Sequence, residues 1–225
     1  MWKIVVSSFL LLCGCAATQA QIHLPEVPSA VHSALEATVG LVGVGGHLPY
    51  CSGVIHDDVV FTANHCVDDE TSIRVGYFVD WRDDGFMHTY PYKVIHTDAI
   101  NDFAVLSPSS SPNPHAPGRP LSLDGITWGQ RAVAIGHPLN RFGYTITEGV
   151  VSHPRRENAS GRVWMQISAP VTYGNSGGPV LNRWGEIIGI TSFLVVDRRD
   201  GLPDVNHNMA GVVHLETLRE YVRTK

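Results

Sequence analysis

The chain has 225 residues, 44% of them hydrophobic and 16% charged, with a formal net charge of -5. That length holds one large β domain or two small barrels with a proper core. The acidic balance leaves no electrostatic footprint for a nucleic-acid partner. After the N-terminus, no apolar run reaches the roughly 18 residues of a spanning helix.

Residues 1–20 read as an export signal: a basic start at Lys3, an apolar run from Ile4 to Leu12, then small residues. The stretch Leu12-Cys13-Gly14-Cys15 is similar to a bacterial lipobox, with Cys15 as the lipidated first residue of the mature protein. It departs from that motif in having Cys13 where a small residue such as Ala or Ser is usual. Ordinary cleavage after Thr18-Gln19-Ala20 is the alternative, and gives a secreted protein without an anchor. Residues 21–37, with Pro25 and Pro28, read as a tether. Outside the leader only Cys51 and Cys66 remain. In an exported chain two such cysteines pair, with two buried thiols as the alternative.

From Thr38 the pattern is one of short β-rich runs between turn signals. Residues 38–44, 51–56, 59–63, 72–79, 92–97 and 103–107 form one group. Residues 131–136, 144–152, 162–168, 178–181, 186–196 and 207–213 form a second. A Pro/Ser-rich linker, residues 108–120, separates them. Two β modules follow, over 38–120 (with the linker) and 121–225. Only the last eleven residues, Leu215–Lys225, read as a helix, with Leu215, Leu218 and Val222 on one face.

The string Gly174-Asn175-Ser176-Gly177-Gly178 carries the chemistry. It fits the G-x-S-x-G elbow of α/β-hydrolases, and Asp204 and His207 follow in the order that fold would use. The elbow also needs a helix after the serine, however, and here the sequence runs strand, turn, strand. A serine hydroxyl becomes nucleophilic only when a base takes its proton, and a histidine base must be held in one tautomer. His65 ends the run Thr62-Ala63-Asn64-His65-Cys66, and Asp102 opens the apolar strand Phe103–Leu106. Asp98 lacks a following strand in register and ranks below Asp102. The other histidines read as structural or surface residues. No zinc spacing is present, and the acidic run Asp68-Asp69-Glu70 reads as a solvated loop, so neither a metal nor a cofactor is expected.

The order His65, Asp102, Ser176, in these local strings, resembles the chymotrypsin-like (trypsin-fold) serine proteases from about Val39 to Tyr221. The segments 136–152 and 166–190 are similar to bacterial HtrA/DegP-type protease domains. The resemblance implies an all-β fold of two six-stranded antiparallel β-barrels with a C-terminal helix. It implies a disulfide between Cys51 and Cys66, which would pin the histidine loop. It also implies Ser176 as nucleophile, His65 as general base and acid, and Asp102 as its orienting partner. The N–H groups of Gly174 and Ser176 would form the oxyanion hole. The substrate-binding residues would be Pro170 at the base of the pocket and Ser192, Phe193 and Leu194 along its wall.

Two departures qualify the resemblance. Asn175 stands where trypsin-like zymogens carry an aspartate, and an amide cannot pair with a freed N-terminal amine. Activation by N-terminal cleavage is therefore not expected. Pro170 supplies no carboxylate for a basic substrate residue and Leu194 narrows the pocket, so a small or aliphatic residue is expected before the cut. The sequence ends after the helix without the PDZ domain of HtrA-type enzymes, which implies a monomer. The resulting expectation is an exported serine endopeptidase acting on polypeptides, periplasmic or attached to the cell envelope through Cys15, otherwise secreted. Its membrane contact would be limited to that anchor. The alternatives are an inactive binding protein on the same fold and an esterase using the same triad.

Overall fold

The computed structural model describes residues 29–43, 45–46, 48–67, 73–78, 87–109, 118–140, 143–199 and 202–225. The leader, Cys15 and the acidic run at 68–70 lie outside the described residues. The first barrel contains β1 (Thr38–Gly43), β2 (Cys51–His56), β3 (Val59–Thr62), β4 (Ile73–Phe78), β5 (Met87–Asp98) and β6 (Phe103–Pro108). It closes in the order β1-β2-β3-β6-β5-β4. The second contains β7 (Arg131–Gly136), β8 (Thr145–Glu157), β9 (Val163–Ile167), β10 (Pro179–Leu181), β11 (Ile187–Arg199) and β12 (Leu202–His214). It closes as β10-β11-β12-β9-β8-β7. Every pairing between these strands is antiparallel. Closure leaves neither sheet with an open edge.

Strands rich in Val, Ile and Phe supply the core. Phe61, Phe103, Val105 and Leu106 are fully buried in the first barrel, and Met165, Ile167 and Ile188 are almost wholly buried in the second. One apolar cluster runs on from the first barrel through Ile135, Leu181, Ile190 and Val213 of the second. This continuity seats the two barrels against each other. The seam is also stitched by the chain after the linker. Arg119 N donates to Ile55 O at 2.9 Å, and its guanidinium donates to Gly185 O at 2.8 and 3.0 Å.

Two helices flank the barrels. The helix expected at the C-terminus is present as α2 (Leu215–Arg223), opened by the His214 side chain accepting from Glu216 N. Its buried face is Leu215, Leu218 and Tyr221; Val222, expected on that face, is 40% exposed. The aromatic ring at 221 fills the place instead, edge-on to Phe61 and Phe103. The other helix, α1 (Ser29–Ala37), occupies part of the segment read as a tether. It buries Ala34, Leu35 and Ala37, and Thr38 Oγ1 donates back to Ala34 O at 2.7 Å. Neighbouring prolines masked this short apolar pattern. Strands β5, β8, β11 and β12 also run past their apolar stretches. Polar residues such as Arg156 and Glu157 still pair across to Trp164 and Val163, because a backbone ladder needs no apolar side chain. Among the described residues no helix is long and apolar enough to cross a membrane.

Candidate active site

His65 sits on a single 3-10 turn, Asn64–Cys66, directly after β3. Cys66 N donates to Ala63 O at 3.1 Å and Val67 N to Asn64 O at 2.8 Å. The Cys51–Cys66 disulfide anchors this turn to the start of β2, with the two Cα atoms 6.2 Å apart. Asp102 comes from the same barrel, immediately before β6. Its φ of 59° is left-handed, a conformation that aspartate tolerates better than most residues. Asp102 Oδ1 accepts from His65 N at 2.9 Å, and both carboxylate oxygens lie within 3.0 Å of His65 Nδ1. Ser192 of β11, on the other barrel, donates its Oγ to Asp102 Oδ2. Burial raises the Asp102 carboxyl pKa, but the hydrogen bonds from His65 and Ser192 outweigh it and hold the group below the ordinary carboxylate value. An ionised Asp102 fixes the proton on Nδ1 and leaves Nε2 as the basic nitrogen of the ring.

The serine turn is shaped by two glycines. Gly174 has φ +95°, and a Cβ there would lie 2.2 Å from His137 O. Gly177 has φ +84°, and its Cβ would lie 2.2 Å from Ser52 O and from Thr62 Oγ1. The amides around the serine are then sorted. Asn175 N donates to Thr172 O (3.1 Å), Gly177 N to Thr191 O (2.7 Å) and Gly178 N to Asn175 O (2.9 Å). The N–H groups of Gly174 and Ser176 make no hydrogen bond among the described residues. From β2, Ser52 N donates to Ser176 O at 2.8 Å. Ser52 Oγ donates to Gly174 O at 2.7 Å and accepts from His137 N at 3.0 Å. Asn175 is buried, and its Oδ1 has no hydrogen-bond partner among the described residues.

His65, Asp102 and Ser176 line one open cleft of about 610 Å³ between the barrels. Thr191, Ser192, Phe193 and Leu194 form one wall, and Val171, Thr172 and Tyr173 lead to the serine. Pro170 is exposed and lies outside this lining. Its neighbours Ala169 and Val171 are buried in the core of the second barrel, and Pro170 between them faces out. Arg162, ahead of β9, also lines the cleft. Neither Arg162 nor Ser52 stood out in the sequence, since an arginine in a turn and a serine beside a cysteine carry no motif. Asp98, ranked below Asp102, caps the adjoining turn instead, accepting from Asn101 N and Nδ2. Among the described residues, Cys51, His65 and Cys66 are the one His/Cys/carboxylate group close enough to hold a metal, with ligand atoms within 4.8 Å. Both sulfurs are bonded to each other, so neither is available as a thiolate ligand.

The strand–turn–strand passage from Ser176 through β10 to β11 removes the α/β-hydrolase alternative, and Asp204 and His207 fall within β12. Two closed antiparallel barrels with a serine, histidine and aspartate at their seam define the chymotrypsin-like class of fold. The chain belongs to the trypsin-like peptidase domain family, whose pattern matches residues 51–190. That is a family of hydrolases. The chain is 34% identical over 141 residues to a probable periplasmic serine endoprotease, DegP-like, of Marinomonas sp., covering 62% of this chain and 28% of that protein. It is 31% identical over 156 residues to the serine endoprotease DegS of Escherichia coli, covering 67% of this chain and 41% of that protein. The chain thus matches well under half the length of these relatives. Its fold is similar to the MamO protease domain from Magnetospirillum magneticum, with a TM-score of 0.67 at 20% identity, over 85% of this chain and 98% of that one.

Proposed function

We propose that this chain is an exported serine endopeptidase that cleaves polypeptides through an acyl-enzyme. The observation that carries the reading is the pair of N–H groups at Gly174 and Ser176 that make no hydrogen bond among the described residues, in a turn where those of Asn175, Gly177 and Gly178 are taken. Two such donors flanking a serine are what an anionic tetrahedral intermediate requires. In this reading Ser176 Oγ attacks the scissile carbonyl and His65 Nε2 takes its proton. Charge develops on the carbonyl oxygen against the two N–H groups, while Asp102 stabilises the imidazolium. Collapse expels the amine, which His65 protonates, and water repeats the sequence to release the acid. No cofactor enters these steps.

The residue entering the cleft before the cut is small or aliphatic, because Val171, Thr172 and Leu194 line the approach and offer no charge. Export is supported by the leader-like residues 1–20 and by relatives described as periplasmic. Anchoring through Cys15 and a monomeric state belong to the same proposal. A fluorophosphonate probe tests the chemistry. It should label the wild-type chain at Ser176 and fail on Ser176→Ala, with peptide cleavage lost in parallel. An unlabelled wild type points to the inactive binding protein; labelling with turnover of esters but not peptides points to the esterase.

A further inference from the structure

We propose that Arg162 is a specificity-determining residue, which makes the cleft select substrates carrying a carboxylate side chain upstream of the cleaved residue. The inference rests on the endopeptidase reading and names the substrate class of the same cleft.

The acidic and basic side chains lining the cleft are His65, Asp102 and Arg162. Asp102 is committed: it accepts from His65 N, from His65 Nδ1 and from Ser192 Oγ. Arg162 Nη2 comes no nearer to Asp102 Oδ2 than 3.6 Å, and its hydrogen bond goes to Ser192 Oγ at 2.5 Å. The buried Arg162 Nε has no hydrogen-bond partner among the described residues. The guanidinium lies over the Phe193 ring, 4.4 Å from its centroid. It is therefore a half-buried cation resting on an aromatic face, with its nearest acid already engaged by three other donors. The side chain is 22% exposed and lines the cleft, and a carboxylate is the acceptor that matches the accessible part of its guanidinium.

The placement is rigid. Arg162 N donates to Asn158 Oδ1 at 3.0 Å, and Val163 N donates to Asn101 Oδ1 at 2.9 Å. The hairpin bearing Arg162 is thus fixed to the turn that bears Asp102, across the seam between the barrels. Held at both ends, the side chain is presented rather than left to sweep the solvent. Its position selects which part of a substrate it meets. A peptide paired along Ser192–Leu194, with its scissile carbonyl at Ser176, places the cleaved residue against Val171–Tyr173. The residues before it pass Ser192 and Phe193, where Arg162 sits.

The test uses peptide pairs identical except for Glu or Gln at the second, third or fourth residue before the bond. In wild type, at one of these positions at least, the Glu member should be cleaved with about tenfold higher kcat/KM, chiefly through KM, and the ratio should shrink in high salt. Arg162→Gln should bring the ratio to about one, and Arg162→Lys should recover part of it. A ratio near one at all three positions in wild type, or a preference that survives in Arg162→Gln, overturns the proposal. If Arg162→Gln does not fold, the wild-type ratios and Arg162→Lys decide. Fluorophosphonate labelling run alongside separates the two levels: labelled enzyme without a Glu preference sinks this inference alone, and unlabelled wild type sinks the endopeptidase reading with it.

Discussion

Ser52 on the first barrel holds Gly174 on the second: its Oγ donates to the Gly174 carbonyl at 2.7 Å, across 122 residues of sequence. Its backbone N–H takes the Ser176 carbonyl as well, so one residue fixes the peptide group that follows each donor of the proposed oxyanion hole. Ser52→Ala removes the first of these and leaves His137 N and the Gly174 carbonyl without their partner in a buried place. The expected outcome is a loss of about 1–3 kcal/mol in stability. Acylation by a fluorophosphonate should slow by more than the folded fraction explains. Urea titration and labelling rates measured on one preparation check both.

Gly174→Ala tests the turn directly. A methyl group 2.2 Å from His137 O, at φ +95°, cannot be accommodated without moving the peptide that carries the Gly174 N–H. Activity should fall by about 10²–10³-fold, the usual cost of one oxyanion donor. Circular dichroism should still report a folded β protein.

The disulfide joins residues 15 apart in sequence and carries the turn of His65. Replacing both cysteines, as Cys51→Ser with Cys66→Ser, should cost about 3 kcal/mol of stability. Activity should fall further at temperatures where the chain remains folded, because the His65 turn loses its anchor. Thermal melts and peptide turnover at 20–25 °C, compared with the intact protein, separate the two effects.

Stability should decline on acidification from near neutrality. Complete burial pushes His137 down to about 3 from an ordinary 6.5, and burial lowers His214 in the same direction. Both folded values lie below the unfolded one. Their contribution is therefore complete above about pH 6.5 and is lost as pH falls below it, where the unfolded chain takes up protons that the native chain refuses. His137, with its folded value of about 3, contributes a slope approaching 1.4 kcal/mol per pH unit between these values. Asp102, also lowered, adds its own loss only in the more acidic range, below about pH 4. Urea midpoints at pH 7.5, 6 and 5 should fall in that order, and His137→Asn should flatten the trend.

Asn175→Asp probes the position at which trypsin-like zymogens carry an aspartate. The side chain is buried, and its Oδ1 has no hydrogen-bond partner among the described residues. A carboxylate there would be stranded, so the variant should lose several kcal/mol near neutral pH and recover part of it in acid, where the group protonates. Extending the N-terminus of the wild type by a few residues should leave turnover unchanged.

The strands were legible because apolar runs and turn signals are local: β2 and β7 run over the residues their apolar patterns mark. Helix α1 was hidden by Pro25 and Pro28 just ahead of it, and the burial of Tyr221 in place of Val222 depended on which ring could meet Phe61 and Phe103. Pro170 shows the same limit at the site. The family resemblance implied a place at the base of the pocket, whereas the structure has it exposed and outside the lining of the cleft.

The identities and order of His65, Asp102 and Ser176, with the glycines around the serine, were readable from the chain alone, because each sits in a short string whose spacing carries its chemistry. Which groups those strings would meet was decided by the folding of two barrels onto one seam. Ser192 reaches Asp102 across 90 residues of sequence, and Ser52 reaches His137 across 85. Arg162 comes to lie between Asp102 and Phe193 only once both barrels have closed. Hydrogen bonds over such separations depend on strand register and side-chain direction across two sheets, and neither is written in any local stretch of residues.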